Sequence, residues 1–216
     1  VAQARVSAVV FDVGKVLIEW DPQHLYRKLI PEQAARDAFL AEICTTAWNL
    51  EQDRGRSWAA AVAERTALFP DHAALIRAYD ERWQEMVPGE VPGSVALLEA
   101  LRAAAVPLYA ITNFSTEKFA ESQQRFPFLA RFRDVVVSGA ERLLKPDPAI
   151  YRCLLDRNGL DAAACLFIDD SEKNVHGARA VGMQAHHFVD AAGLATALRG
   201  LDLLEHDPSD PTDLVP

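Results

Sequence analysis

From Gly93 onward, short β-branched, apolar runs alternate with segments of helical period, and that alternation leaves few folds open. Residues 106–112, 134–138, 165–169 and 184–189 read as strands. Residues 94–105, 115–125, 148–158, 172–181 and 191–198 read as the helices between and after them, with Gly159 and Gly182 as stops. A further strand stands at residues 5–12, where Val-Ser-Ala-Val-Val-Phe is apolar enough to be buried on both faces. Strand–helix–strand repeats close by right-handed crossovers, so the expected fold class is α/β, a doubly wound parallel sheet.

Residues 22–86 have another character. Leu25, Tyr26, Leu29 and Ile30 share one helix face after Pro22, Pro31 opens a second helix to about Cys44, Ser57 caps a third to Ala67, and Asp71 caps a fourth to Met86. No strand-like run interrupts them, so a helical unit is inserted after the first strand. The expected domains are a core of residues 1–14 and 93–204, a helical cap of residues 15–92, and an extended tail of residues 205–216.

Composition narrows the partners. Half of the 216 residues are apolar, enough for a substantial core. With 22 Lys and Arg against 31 Asp and Glu, the net charge of −9 argues against nucleic acid. No apolar run is long enough to span a membrane, and the first residues lack the order of a secretory leader. Cys44, Cys153 and Cys165 are scattered and odd in number, as in a reducing compartment. A cytoplasmic protein, a monomer or homodimer acting on a small molecule, is expected.

In open parallel sheets ligands sit beyond the carboxyl ends of the strands. Those ends carry Phe11-Asp12-Val13-Gly14, Ile111-Thr112-Asn113, Leu144-Lys145-Pro146-Asp147-Pro148 and Asp169-Asp170-Ser171-Glu172-Lys173-Asn174. Singly, each is an ordinary turn or cap. Together they bring carboxylates from two strand ends toward one place, which calls for a divalent cation, a shared proton or a lysine between them. Oxygen ligands without His or Cys favour Mg²⁺.

These four motifs, in this order, resemble those of the haloacid dehalogenase-like (HAD) hydrolases over about residues 6–190. The helical insertion looks like that family's cap, and the opening Asp-x-Gly-x-Val resembles a subgroup of small phosphatases that includes glucose-1-phosphatase-like enzymes. The resemblance implies a Rossmann-like core, a small phosphorylated metabolite as substrate and Mg²⁺ as cofactor. It implies that Asp12 is the nucleophile and that Asp12, the Gly14 carbonyl and Asp170 are metal ligands, with Asp169 in support. Thr112 and Asn113 would donate to the transferring oxygens, Lys145 would neutralise charge, and Asn174, in helical register with Asp170, would orient Lys145 or the metal ligands. Two positions depart from the pattern. Gly14 stands where such phosphatases carry a second Asp that protonates the leaving group, so either Asp21, Glu19, His24 or a metal-bound water substitutes for it, or the enzyme relies on good leaving groups. Lys15 stands where Asn is frequent, free to reach phosphate or solvent. Trp20 is the expected pocket aromatic, whereas Trp48, Trp58 and Trp83 read chiefly as core anchors, Trp48 with some claim to the pocket. Two alternatives share the scaffold: a 2-haloacid dehalogenase, which needs no metal, and a binding protein with impaired catalysis.

Overall fold

The computed structural model of the protein describes residues 4–205, so all of the expected tail except Glu205 lies outside the described residues. Five parallel strands form one sheet in the order β3-β2-β1-β4-β5. They are β1 Ala8–Phe11, β2 Leu108–Thr112, β3 Asp134–Val137, β4 Cys165–Asp169 and β5 Gln184–His187. The central three are wholly buried, as their unbroken apolar runs require. Phe11 pairs with Ala110 on one side and Ile168 on the other, which puts Asp12 level with the ends of β2 and β4. Chain order reverses between β1 and β4, and this switch point is where a crevice opens in such sheets.

Alternate β1 side chains enter opposite cores. Ala8 and Val10 join Tyr151, Leu154 and Phe167 on one face. There lie α9 Pro148–Asn158 and α10 Glu172–Ala180. Val9 and Phe11 face Leu98, Leu101, Leu194 and Leu198 on the other. These belong to α6 Ser94–Ala103 and α11 Ala191–Gly200. Fully burying each such side chain stabilises the fold by roughly 1.5–3 kcal/mol. The remaining core helices are α7 Thr116–Arg125 and the one-turn α8 Ser138–Glu141.

The stretch between β1 and α6 is helical, with α1 Gln23–Leu29, α2 Gln33–Glu42, α3 Thr46–Asp53, α4 Trp58–Leu68 and α5 Ala73–Glu81. Two details differ from the sequence expectation. The single helix expected over 71–86 is three pieces. A 3₁₀ turn holds Asp71, α5 follows, and a second 3₁₀ turn from Trp83 to Met86 buries both of those residues. Helix α3 has no start or stop among those expected from the sequence, although Thr45 caps it by accepting from Trp48 N. Its buried side carries Asn49, Gln52 and Asp53 beside Trp48, so it shows no apolar stripe. Trp48, Trp58 and Tyr79 pack against one another, ring centroids 5.3–5.7 Å apart. Trp58 Nε1 donates to Ser115 Oγ at 2.9 Å, and Lys118 Nζ reaches Asp80 Oδ1 at 2.7 Å. These contacts tie the inserted helices to the loop after β2 and to α7.

Candidate active site

Lys145 organises the floor of the crevice. Its side chain is fully buried, and its Nζ lies 2.8 Å from Asp12 Oδ1, 2.7 Å from Asp169 Oδ2 and 3.0 Å from the Ile111 carbonyl. Burial works against the ammonium, but Asp12 and Asp169 outweigh it and hold its pKa above the usual lysine range. The loop that delivers it is fixed by Asn113, whose Oδ1 accepts from Lys145 N at 2.8 Å and whose Nδ2 donates to Lys145 O at 3.1 Å. Behind that loop, Gly177 of α10 permits a close approach. A Cβ there would come within 2.8 Å of the Pro146 carbonyl and 2.9 Å of the Tyr151 hydroxyl.

Asp169 is completely buried, and its oxygens are taken by Lys145, by Ser171 N at 2.8 Å and by Asn174 Nδ2 at 3.1 Å. Asn174 thus reaches Asp169, not Asp170, because α10 starts only at Glu172 and the turn before it folds back on the strand end. Asn174 itself is anchored by the Tyr151 hydroxyl, which donates to its carbonyl. Thr112 is buried at the last position of β2, on the same sheet edge.

Asp12 keeps one oxygen on Lys145 and on Val13 N, 2.7 Å away. Carboxylate oxygens of Asp12, Asp169 and Asp170 all lie within 4.8 Å of one another. Burial, together with the charges of Asp169 and Asp170 and against the pull of Lys145, pushes Asp12 up to about 7. Asp170 is raised by burial and by Asp169, with Lys15 and Lys145 drawing it down. Three carboxylates against one ammonium leave an excess of negative charge that a cation would relieve. An all-oxygen donor set fits Mg²⁺ in kind. Asp12 and Asp170 are the carboxylates available to it, since Asp169 is already saturated. The Gly14 carbonyl stands in the turn closed by Ile18 N to Val13 O and Lys15 N to Ile18 O.

A cavity of about 170 Å³ opens over Asp12, lined also by Gly14, Lys15, Trp20 and Asn113. Lys15 holds its Nζ 5.9 Å from the centroid of Trp20. Trp83, expected in the core, is buried and lines this cavity as well, with Leu50 and Phe114. Asp21, Glu19 and His24 do not line it. Asp21 instead accepts from Gln23 N at the start of α1.

The carboxyl that does line the cavity beside Asp12 is Asp53, at the end of α3, a residue that sequence reasoning missed along with its helix. The readable signals were the Thr45 cap and the Gly55 stop. Asn49 Nδ2 donates to Asp53 Oδ2 at 3.0 Å, and Ser138 Oγ holds the Asp53 carbonyl. Gly55, at φ 104°, lets this end of α3 lie against Gly139, whose carbonyl would be 2.8 Å from a Cβ. Burial pushes Asp53 from 3.8 up to about 7, and the Ser115 N–H draws it down. The folded chain therefore keeps this proton where the unfolded chain has lost it. Stability falls as pH rises from about 4 to about 7, by a few kcal/mol for this group. Asp53→Asn, which mimics the neutral acid, is expected to unfold later than wild type at pH 8. The two should converge toward pH 4 in urea titrations, and an offset independent of pH would contradict this.

The sequence model of "haloacid dehalogenase-like hydrolase" matches residues 6–182. Among curated proteins, the sesquiterpene phosphatase astK of Aspergillus oryzae is 26% identical over 206 residues, 90% of this chain and 96% of that protein. A HAD family enzyme of Bacteroides thetaiotaomicron, solved with magnesium and inorganic phosphate, has a TM-score of 0.67 at 20% identity, covering 86% of this chain and 95% of that one. The L-2-haloacid dehalogenase RSc1362 has a TM-score of 0.65 at 20% identity, covering 91% and 100%. At that identity the solved structures speak for the fold alone. No helix among the described residues is long and apolar enough to cross a membrane.

Proposed function

The chain belongs to the haloacid dehalogenase-like hydrolases, and we propose that it is a phosphatase that cleaves small phosphomonoesters through an aspartyl-phosphate on Asp12. The observation that carries this reading is the convergence of Asp12, Asp169 and Asp170 within 4.8 Å, with Lys145 bonded to the first two. A dehalogenase attacking carbon gives such an acidic group no cation to hold, and fold likeness alone does not raise that alternative.

In this reading an Asp12 oxygen attacks phosphorus, a role a carboxylate fills without prior activation. Lys145 holds the other oxygen and offsets the phosphoryl charge, and the Thr112 hydroxyl donates to the transferring group. Asn113 positions Lys145 through its amide oxygen and one N–H, and its second N–H is left to donate, with Thr112, to the transferring oxygens. Asn174 and Asp169 fix the ammonium from behind. Asp12, Asp170 and the Gly14 carbonyl would hold Mg²⁺, with Asp169 in support. When bound, the ion supplies positive charge to the phosphoryl oxygens. Residues 15–92 form the cap over a core that among the described residues comprises 4–14 and 93–204, and Lys15 and Trp20 lie where the two meet. The walls of Trp20, Leu50, Trp83 and Phe114 suit a compact apolar alcohol. The phosphatase name of the Aspergillus relative supports this reading.

Phosphate release from p-nitrophenyl phosphate tests it. EDTA is expected to abolish release and added Mg²⁺ to restore it. Asp170→Ala should raise the Mg²⁺ needed for half-maximal rate by roughly 10–100-fold, on the scale of lost ligand-shell contacts. Phosphate release undiminished in EDTA would sink the metal assignment, whereas no phosphate release together with halide release from a 2-haloacid would favour the dehalogenase.

A further inference from the structure

Asp53 is buried in the wall of the cavity over Asp12 and makes no ion pair among the described residues. A buried carboxyl without a counter-charge costs stability, and such costs persist where the group has work to do. Its position is fixed from three sides: by Asn49 on its own helix, by Ser138 of α8, and by the contact of Gly55 with Gly139.

The chemistry of the cavity calls for such a group. An alcohol expelled from phosphorus leaves as an alkoxide unless a proton reaches its oxygen. Gly14 has no side chain to give one. Asp12 is engaged as nucleophile and is held by Lys145. Lys118, also in the wall, is paired with Asp80 and Glu121. Asn49 is donating to Asp53 itself, and the Ser115 hydroxyl, which accepts from Trp58, is no stronger an acid than the alcohol that leaves. A cavity of about 170 Å³ is close to the size that encloses a benzene ring. Asp12 and Asp53 both line it, so a compact leaving group on a phosphoryl at Asp12 shares the cavity with Asp53.

We propose that Asp53 is the catalytic acid and base of this enzyme, delivered by the inserted helices in the place that Gly14 leaves without a side chain. The proposal rests on the phosphatase reading. As an Asp12 oxygen bonds to phosphorus, the bond from phosphorus to the substrate's alcohol oxygen breaks. The Asp53 proton passes to that oxygen, and neutral alcohol departs. Asp53, now a carboxylate, takes a proton from the water that attacks phosphorus. The bond from Asp12 to phosphorus then breaks, phosphate leaves, and Asp53 is protonated again. Burial, which holds this proton up to about neutrality, suits both halves of the cycle.

Two aromatic substrates of similar size separate this role from a structural one. p-Nitrophenolate leaves without a proton, whereas the benzyl alcohol of benzyl phosphate needs one. In Asp53→Asn, kcat/KM for benzyl phosphate is expected to fall about 100-fold further than for p-nitrophenyl phosphate, the scale of general acid catalysis. Asp53→Glu should recover part of that ratio. Equal losses on both substrates, or the selective loss appearing in Lys15→Gln instead, would overturn the proposal. A measurement on wild type is independent of any variant's folding. Across substituted phenyl and benzyl phosphates, kcat/KM should depend weakly on leaving-group acidity, and a steep dependence overturns the proposal. A wild type that releases phosphate from neither substrate removes the phosphatase reading, and this proposal with it.

Discussion

Lys145→Met is expected to cost both stability and turnover. The ammonium is the cation bonded to two buried carboxylates, Asp12 and Asp169, and its side chain has no exposed surface. Removing one partner of a buried pair leaves charge uncompensated and costs about 3–5 kcal/mol. In a chain of this length that is a fall in melting temperature of about 6–20 °C. Turnover should fall by about 10²–10³-fold or more, the scale on which one preorganised donor to a developing oxyanion contributes. Asp169→Asn added to Lys145→Met removes one of the orphaned charges and should restore part of the melting temperature without restoring activity. A Lys145→Met protein that melts with wild type would contradict the electrostatic account of the floor.

Asp12→Asn should separate the two effects. Asparagine keeps an oxygen that can accept from Val13 N and from Lys145, so the loop geometry survives. It also removes one negative charge from a group that carries an excess. The metal-free variant should therefore melt no lower than wild type. Its amide cannot form the acyl-phosphate bond, and turnover should fall on the order of 10⁴-fold or more, as when a covalent nucleophile is removed. A variant that loses activity only because it unfolds would show a lower melting temperature than wild type, and calorimetry distinguishes the two.

The contrast between these residues and Asp53 shows what a sequence can disclose. β1, β2 and β4 are buried on both faces, so their apolar runs are uninterrupted and their ends are plain. Asp12, Thr112 and Asp169 could be read from that edge because a parallel sheet brings its strand ends together whatever the helices do. Lys145 could be placed near them only through the motif it shares with a family, since it lies in a loop whose path depends on Asn113 and Gly177. Helix α3 escaped notice because its buried face is polar, and it is polar because it forms a cavity wall rather than core. Trp83 is core, as its sequence context suggests, and packs on Phe114, but it also walls the cavity, which a sequence does not show because a buried tryptophan looks the same whether its neighbour is another side chain or a cavity. Asn174 could be placed near this edge by its spacing from Asp170, but which carboxylate its amide meets, Asp169, depends on the turn before α10 and could not be read from spacing.

The proposed mechanism turns on a covalent phosphoryl group on Asp12. The direct measurement is mass spectrometry of the peptides from enzyme quenched in acid during turnover with Mg²⁺ and a phosphomonoester. A phosphoryl group is expected on the peptide that carries Asp12, and it should be absent from the Asp12→Asn protein treated alike. A phosphoryl group recovered on another residue, or persisting in Asp12→Asn together with wild-type turnover, would contradict the account.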